Sequence, residues 1–223
     1  MAERHASAYR EVRERTSALV RETPAAAMEQ IAPATPEWRV RDVLAHVVGI
    51  TADIAEGRLD GIATEPWTAA QVDARRDRSV DEILAEWDER GPQFETALHD
   101  VPPAPASQAV FDVVTHELDI RQALGAPGGR DCDAVAIAFE FCVDSRTAFE
   151  APALRILTDA GEALSGTGEP VATITTTRFD FVRAVSGRRT AEEISAFEPQ
   201  GELDPALIVF APIFTMRTTS LGE

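Results

Sequence analysis

Apolar residues recur in this chain with a period near 3.6 as far as about residue 150, and after Pro152 they alternate instead. A chain that changes period once is limited to a helical part followed by a part containing strands. Ala8, Tyr9, Val12, Leu19 and Val20 predict a helix over 2–22, broken by Pro24, Pro33 and Pro36. Val40, Val43, Leu44, Val47 and Val48 make the stripe of a second helix over 40–59, ended by Gly57, Gly61 and Pro66. A third starts at Ser79, whose spacing to Glu82 is that of a capping box. It carries Val80, Ile83, Leu84, Trp87, Phe94 and Leu98, and Gly91-Pro92 within it predicts a kink or break. Pro102, Pro103 and Pro105 suggest a stiff connection over 101–107. A fourth helix is then expected over 108–124, stopped by Gly125 and Pro127. A fifth, over 133–149, presents Val135, Ala138, Phe139, Cys142 and Phe149.

Beyond Pro152, Leu154 and Ile156 alternate with polar residues, and Asp159-Ala160-Gly161 reads as a turn. The β-branched run 171–177 predicts a strand, and 178–186 a helix that stops at Gly187. The apolar run 207–214 is expected as a buried strand. The fold class is therefore α+β: a helical domain over 1–130 and a small α+β domain over 131–223.

A formal net charge of −17 argues against nucleic acid and anionic membrane surfaces as partners, since both repel such a chain. The densest basic cluster, Arg75, Arg76 and Arg78, is diluted by Asp73, Asp77 and Asp81. No apolar run reaches the length of a membrane span, and the first residues do not read as a secretory signal, so the expected location is cytoplasmic. The only cysteines, Cys132 and Cys142, exclude a cysteine-based zinc cluster, and Cys142 falls on an apolar helix face, where packing is its expected role.

Histidine is scarce. His5 and His99 fall near helix ends and are expected at the surface. On the fourth helix, Asp112, His116 and Asp119 fall within an arc of about 60°, beside the core face carried by Val113, Ile120 and Leu124. An aspartate and a histidine four residues apart can share one divalent ion, or can be an ordinary helical ion pair. His46 lies on the shoulder of the second helix's apolar stripe, where a histidine is either a structural residue or a ligand. If the two helices lie side by side or across the core, His46, Asp112 and His116 make a two-histidine, one-carboxylate site. Such a site suits zinc or iron with positions open for water or a thiolate. Asp119, one turn beyond His116, is too far from Asp112 to share the ion easily. It reads either as a carboxylate that orients His116 or a bound molecule, or as a surface ion pair. Trp38, Trp67 and Trp87 are expected as core or rim anchors.

Trp38-Arg-Val-Arg-Asp-Val-Leu-Ala-His46-Val-Val-Gly49 and Asp112-Val-Val-Thr-His116-Glu-Leu-Asp119-Ile-Arg121-Gln-Ala-Leu-Gly125 resemble the mycothiol-dependent maleylpyruvate isomerase family. That family belongs to the wider DinB-like metal-binding four-helix bundles. Phe181-Val-Arg-Ala-Val-Ser-Gly187-Arg188 resembles its second-domain helix. The resemblance implies an up-down four-helix bundle followed by a small α+β domain similar to sterol carrier proteins. It implies His46, Asp112 and His116 as ligands of a divalent metal, zinc foremost, and Asp119 and Arg188 as catalytic residues. It implies mycothiol as thiol cosubstrate and a small electrophilic substrate, acted on by cis–trans isomerisation or S-transfer. Isomerisation would run by thiolate addition to an activated double bond, rotation and elimination, with Arg188 holding a substrate carboxylate. The expected assembly is a monomer or homodimer. Asp112 stands where the isomerase has glutamate, and Arg39 where the family has a serine or threonine cap. The shorter Asp112 leaves a second reading open: a non-catalytic ligand-binding or regulatory module of the same fold that has lost the metal.

Overall fold

The computed structural model describes residues 2–201, 203–210 and 213–223. The chain divides into two compact units, the first ending at Gly129 and the second beginning at Arg130.

The first unit holds α1 (Ala2–Glu22), α2 (Ala25–Met28), α3 (Val40–Ala55), α4 (Glu65–Asp73), α5 (Val80–Ala97) and α6 (Pro103–Leu124). Four of these form the bundle. α1 packs on α5 and α6, and α3 packs on the same two, so the order around the core is α1, α5, α3, α6. Each sends its apolar stripe inward: Val12 and Val20 from α1, Val43, Leu44 and Val48 from α3, Ile83, Trp87 and Phe94 from α5, Val110, Val114 and Ile120 from α6. The core also holds polar contacts: Tyr9 Oη lies 2.7 Å from Thr51 Oγ1, Trp87 Nε1–H donates to the same phenol at 3.4 Å, and Arg13 Nε–H donates to Glu95 Oε1 at 2.7 Å.

Prolines account for most departures from the periodicity. α6 begins at Pro103, five residues before the expected start. Pro103 and Pro105 lie in its first turn, where a missing N–H costs nothing. The longer α6 brings Ser107 opposite α1, and its Oγ lies 2.9 Å from His5 Nε2, so His5 is buried and not at the surface. His99 is exposed, 3.6 Å from Glu3. α5 runs unbroken through Pro92. Pro66, read above as a terminator, lies in the first turn of α4, a helix the apolar pattern does not show.

The second unit holds α7 (Asp133–Ala148), β1 (Pro152–Thr158), β2 (Gly161–Ser165), β3 (Thr167–Thr175), α8 (Arg178–Val185), α9 (Ala191–Ser195) and β4 (Gln200–Gly201). The sheet order is β2-β1-β3-β4, with β1 and β3 parallel and both outer pairs antiparallel. Leu154 opposite Ala172 and Ile156 opposite Ile174 form its buried face, while α7 packs on α8 through Phe139 and Phe181. Buried Arg146 donates to Ser165 Oγ and the Pro152 carbonyl. The strand expected over 207–214 is not formed by its described residues, and residues 211–212 lie outside the description. Pro205–Leu207 form a 3-10 turn capped by Asp204. The Leu207 carbonyl accepts from Arg146, and the Phe210 N–H donates to the Val185 carbonyl. Backbone groups taken this way have no strand partner, although Ile208 and Val209 are buried as an apolar run should be.

Candidate metal centre

α3 and α6 are neighbours around the bundle, and this places His46 against Asp112 and His116. The entry to α3 is fixed locally. The Asp42 carboxylate accepts the Arg39 backbone N–H at 2.9 Å and is gripped by the Arg39 guanidinium at 2.9 and 3.0 Å. The Asp42 carboxylate thus supplies the half of a capping box that returns from the third helical residue to the cap residue's N–H, and it is reinforced by the Arg39 ion pair. His46 follows one turn later.

His46 Nε2 lies 3.9 Å from Asp112 Oδ1, and His116 Nε2 lies 3.7 Å from the same oxygen. One donor atom from each of the three residues falls within 4.8 Å of the other two. The imidazoles meet edge to face, centroids 5.0 Å apart, and the Trp38 ring stands 5.2 Å from His46 and 6.4 Å from His116. The histidine side chains are 7% and 11% exposed, whereas that of Asp112 is 32% exposed, so water reaches the cluster on the carboxylate side.

Each ring's other nitrogen has its own partner. His116 Nδ1 is 3.2 Å from Asp119 Oδ2, and Asp119 is wholly buried. Asp119 is therefore not a surface carboxylate. His46 Nδ1 is 2.8 Å from Gln71 Oε1 of α4. Burial pushes the His46 imidazolium down to about 4, aided by His116 and opposed by Asp112. His46 is thus neutral near pH 7, the form that ligates metals.

These donors fit a divalent ion. A tetrahedral ion with ligands at about 2.1 Å has donor–donor edges of about 3.4 Å, a few tenths of an ångström shorter than the two histidine–Asp112 separations. The set is two imidazoles and one carboxylate, which leaves coordination positions open.

Gln71 and the position of Trp38 beside both rings were not legible from periodicity. The signal for α4 was Thr64-Glu65-Pro66, an extended residue followed by a proline in a first helical turn. In the second unit, Arg188 is buried, donates from Nη1 to the Ser186 carbonyl at 2.6 Å and lies 5.8 Å from the Phe214 ring centroid. The buried thiol of Cys142 is pushed above its ordinary range by desolvation.

The fold is that of known structures. A mycothiol-dependent maleylpyruvate isomerase superposes with a TM-score of 0.62 at 12% identity, over 84% of this chain and 90% of that one. A histidine-to-alanine variant of such an isomerase superposes with a TM-score of 0.63 at 10% identity, over 92% and 95%. No curated protein matches the sequence. Residues 9–124, just over half of the chain, match the family model of the mycothiol maleylpyruvate isomerase N-terminal domain, and the chain belongs to that family.

Proposed function

We propose that the chain is a metal-dependent enzyme that uses mycothiol to act on a small electrophile, by cis–trans isomerisation of a maleylpyruvate-like acid or by S-transfer. The observation that carries this reading is the convergence of His46, Asp112 and His116, with both imidazole Nε2 atoms turned to one carboxylate oxygen. His46 and His116 would hold a divalent ion, zinc foremost, through Nε2, and Asp112 through one oxygen. Such an ion lowers the pKa of a thiol that binds it, so that thiolate is present at neutral pH.

The chain's own residues supply the rest. Asp119 holds His116 with Nε2 toward the shared point. Trp38 closes one side of the pair and restricts water there. Asp112, the most exposed of the three ligands, marks the side from which thiol and substrate enter. Arg188 is proposed to hold the substrate's carboxylate, since a guanidinium fork matches that group with paired hydrogen bonds.

The test is metal analysis of the full chain purified without chelator, followed by zinc titration of the stripped protein. One zinc per chain is expected, lost in His46→Ala and in His116→Ala. A wild-type chain that takes up no zinc would refute this reading and favour a ligand-binding module. Thiol consumption then separates the two reactions. Isomerisation regenerates the thiol on elimination, while S-transfer consumes one thiol per product.

A further inference from the structure

His46 is met by a relay that leaves α3 for α4 and returns to the C-terminal end of α3. Gln71 of α4 is 2% exposed, with its Oε1 2.8 Å from His46 Nδ1 and its Nε2 2.9 Å from Asp53 Oδ2. The Asp53 carboxylate is in turn gripped by Arg58, Nε at 2.8 Å and Nη2 at 2.6 Å from Oδ1. Each link restricts the next. A carboxylate paired with a guanidinium only accepts hydrogen bonds, so the Gln71 amide must turn its NH2 toward Asp53. Its carbonyl oxygen then faces His46 and can only accept. His46 must therefore carry its proton on Nδ1, which leaves the Nε2 lone pair toward Asp112 and His116.

The backbone that delivers Gln71 is equally specific. A Cβ at Gly49 would stand 2.5 Å from Gln71 Cβ, so α4 lies this close to α3 only because residue 49 has no side chain. The Gln71 backbone carbonyl accepts from Arg75 Nη1 at 3.0 Å, and Arg75 is bound through Nε and Nη2 to Glu86 of α5. α4 is thus fixed from both α3 and α5.

We propose that Gln71 and Asp53 are positioning residues of the metal centre: through the His46–Gln71–Asp53–Arg58 relay they select the Nδ1–H tautomer of His46 and aim its Nε2 at the ion. This rests on the metal-binding reading above and extends it to a helix that supplies no ligand. It makes the two histidines equivalent in design, Asp119 selecting the tautomer of His116 and Gln71 that of His46.

Two measurements on the full-length chain test it. The first is the tautomer of His46 in the metal-free protein, read from its imidazole nitrogen resonances near neutral pH. Nδ1–H is expected in the wild type, with loss of that preference in Gln71→Leu. The second is the affinity for zinc alone, by competition with a chromophoric chelator. Gln71→Leu is expected to bind zinc about tenfold or more weakly. The double variant Gln71→Glu with Asp53→Asn exchanges amide and carboxylate. It keeps an acceptor toward His46 and a donor between residues 53 and 71, so it should bind more tightly than Gln71→Leu and recover the tautomer. A wild-type His46 protonated on Nε2 would overturn the proposal, as would a Gln71→Leu protein with unchanged tautomer and zinc affinity. A wild-type chain that binds no zinc yet shows the Nδ1–H tautomer and its loss in Gln71→Leu would refute the metal reading and leave the relay standing.

Discussion

His116 Nδ1 lies 3.2 Å from an oxygen of Asp119, a carboxylate with no exposure to water. A buried acceptor of that kind holds the ring in one tautomer and one orientation. Asp119→Asn leaves a weaker, uncharged acceptor. Its zinc affinity is expected to fall about tenfold, with helical content unchanged by circular dichroism. Equal affinity in a chelator competition would reduce Asp119 to packing. His46 makes a second prediction, for the metal-free chain. Its ordinary pKa of 6.5 falls to about 4 in the folded state, chiefly by burial. Between those values the unfolded chain binds a proton that the folded chain refuses. The contribution is therefore complete above pH 6.5 and lost as pH falls toward 4, by up to about 3 kcal/mol. Urea unfolding of wild type and His46→Leu across this window checks it, because the many acidic groups are common to both. The wild type is expected to lose more stability on acidification than the variant. Parallel losses would contradict a buried neutral His46.

Among the elements, α3 and α6 were legible because each buries a continuous apolar stripe, and Asp112, His116 and Asp119 could be placed on one line of α6 from residue spacing alone. Their meeting with His46 could not be read that way, since it depends on α3 and α6 being neighbours around the bundle. α4 leaves no mark in the apolar pattern, for a physical reason. Its only buried residue is Gln71, so it has no apolar stripe to detect. Hydrogen bonds and the close approach at Gly49 hold it, and neither leaves a periodic signature. In the second unit, Leu154, Ile156 and the 171–177 run announced their strands, while the run from Leu207 buries its side chains in turns whose backbone partners no local pattern names. Gly49→Ala tests the α3–α4 contact. Alanine in mid-helix ordinarily gains up to about 1 kcal/mol over glycine. Here the overlap with Gln71 is expected to cost about 1–3 kcal/mol and to displace the His46 partner. A lower Tm and weaker zinc binding are the expected results. A higher Tm would mean that α4 does not pack as described.

Across the whole molecule, each unit has its own core, a four-helix bundle in one and a mixed sheet with α7 and α8 in the other. No helix among the described residues is long and apolar enough to cross a membrane. The formal charge of −17 sets the electrostatic background in which the centre acts. A surface of that sign repels anions, so any anion that binds this chain needs local positive charge to hold it. The centre serves thiol chemistry only if an ion held by those three residues keeps a position open for sulfur. The direct test is absorption spectroscopy of the full chain loaded with cobalt(II) in place of zinc and titrated with mycothiol. One cobalt per chain with the intense visible bands of a low-coordinate site is expected, and a sulfur-to-cobalt charge-transfer band should grow to saturation as thiol is added. His116→Ala should show neither. A wild-type chain that binds cobalt but develops no charge-transfer band at saturating mycothiol would contradict the central claim.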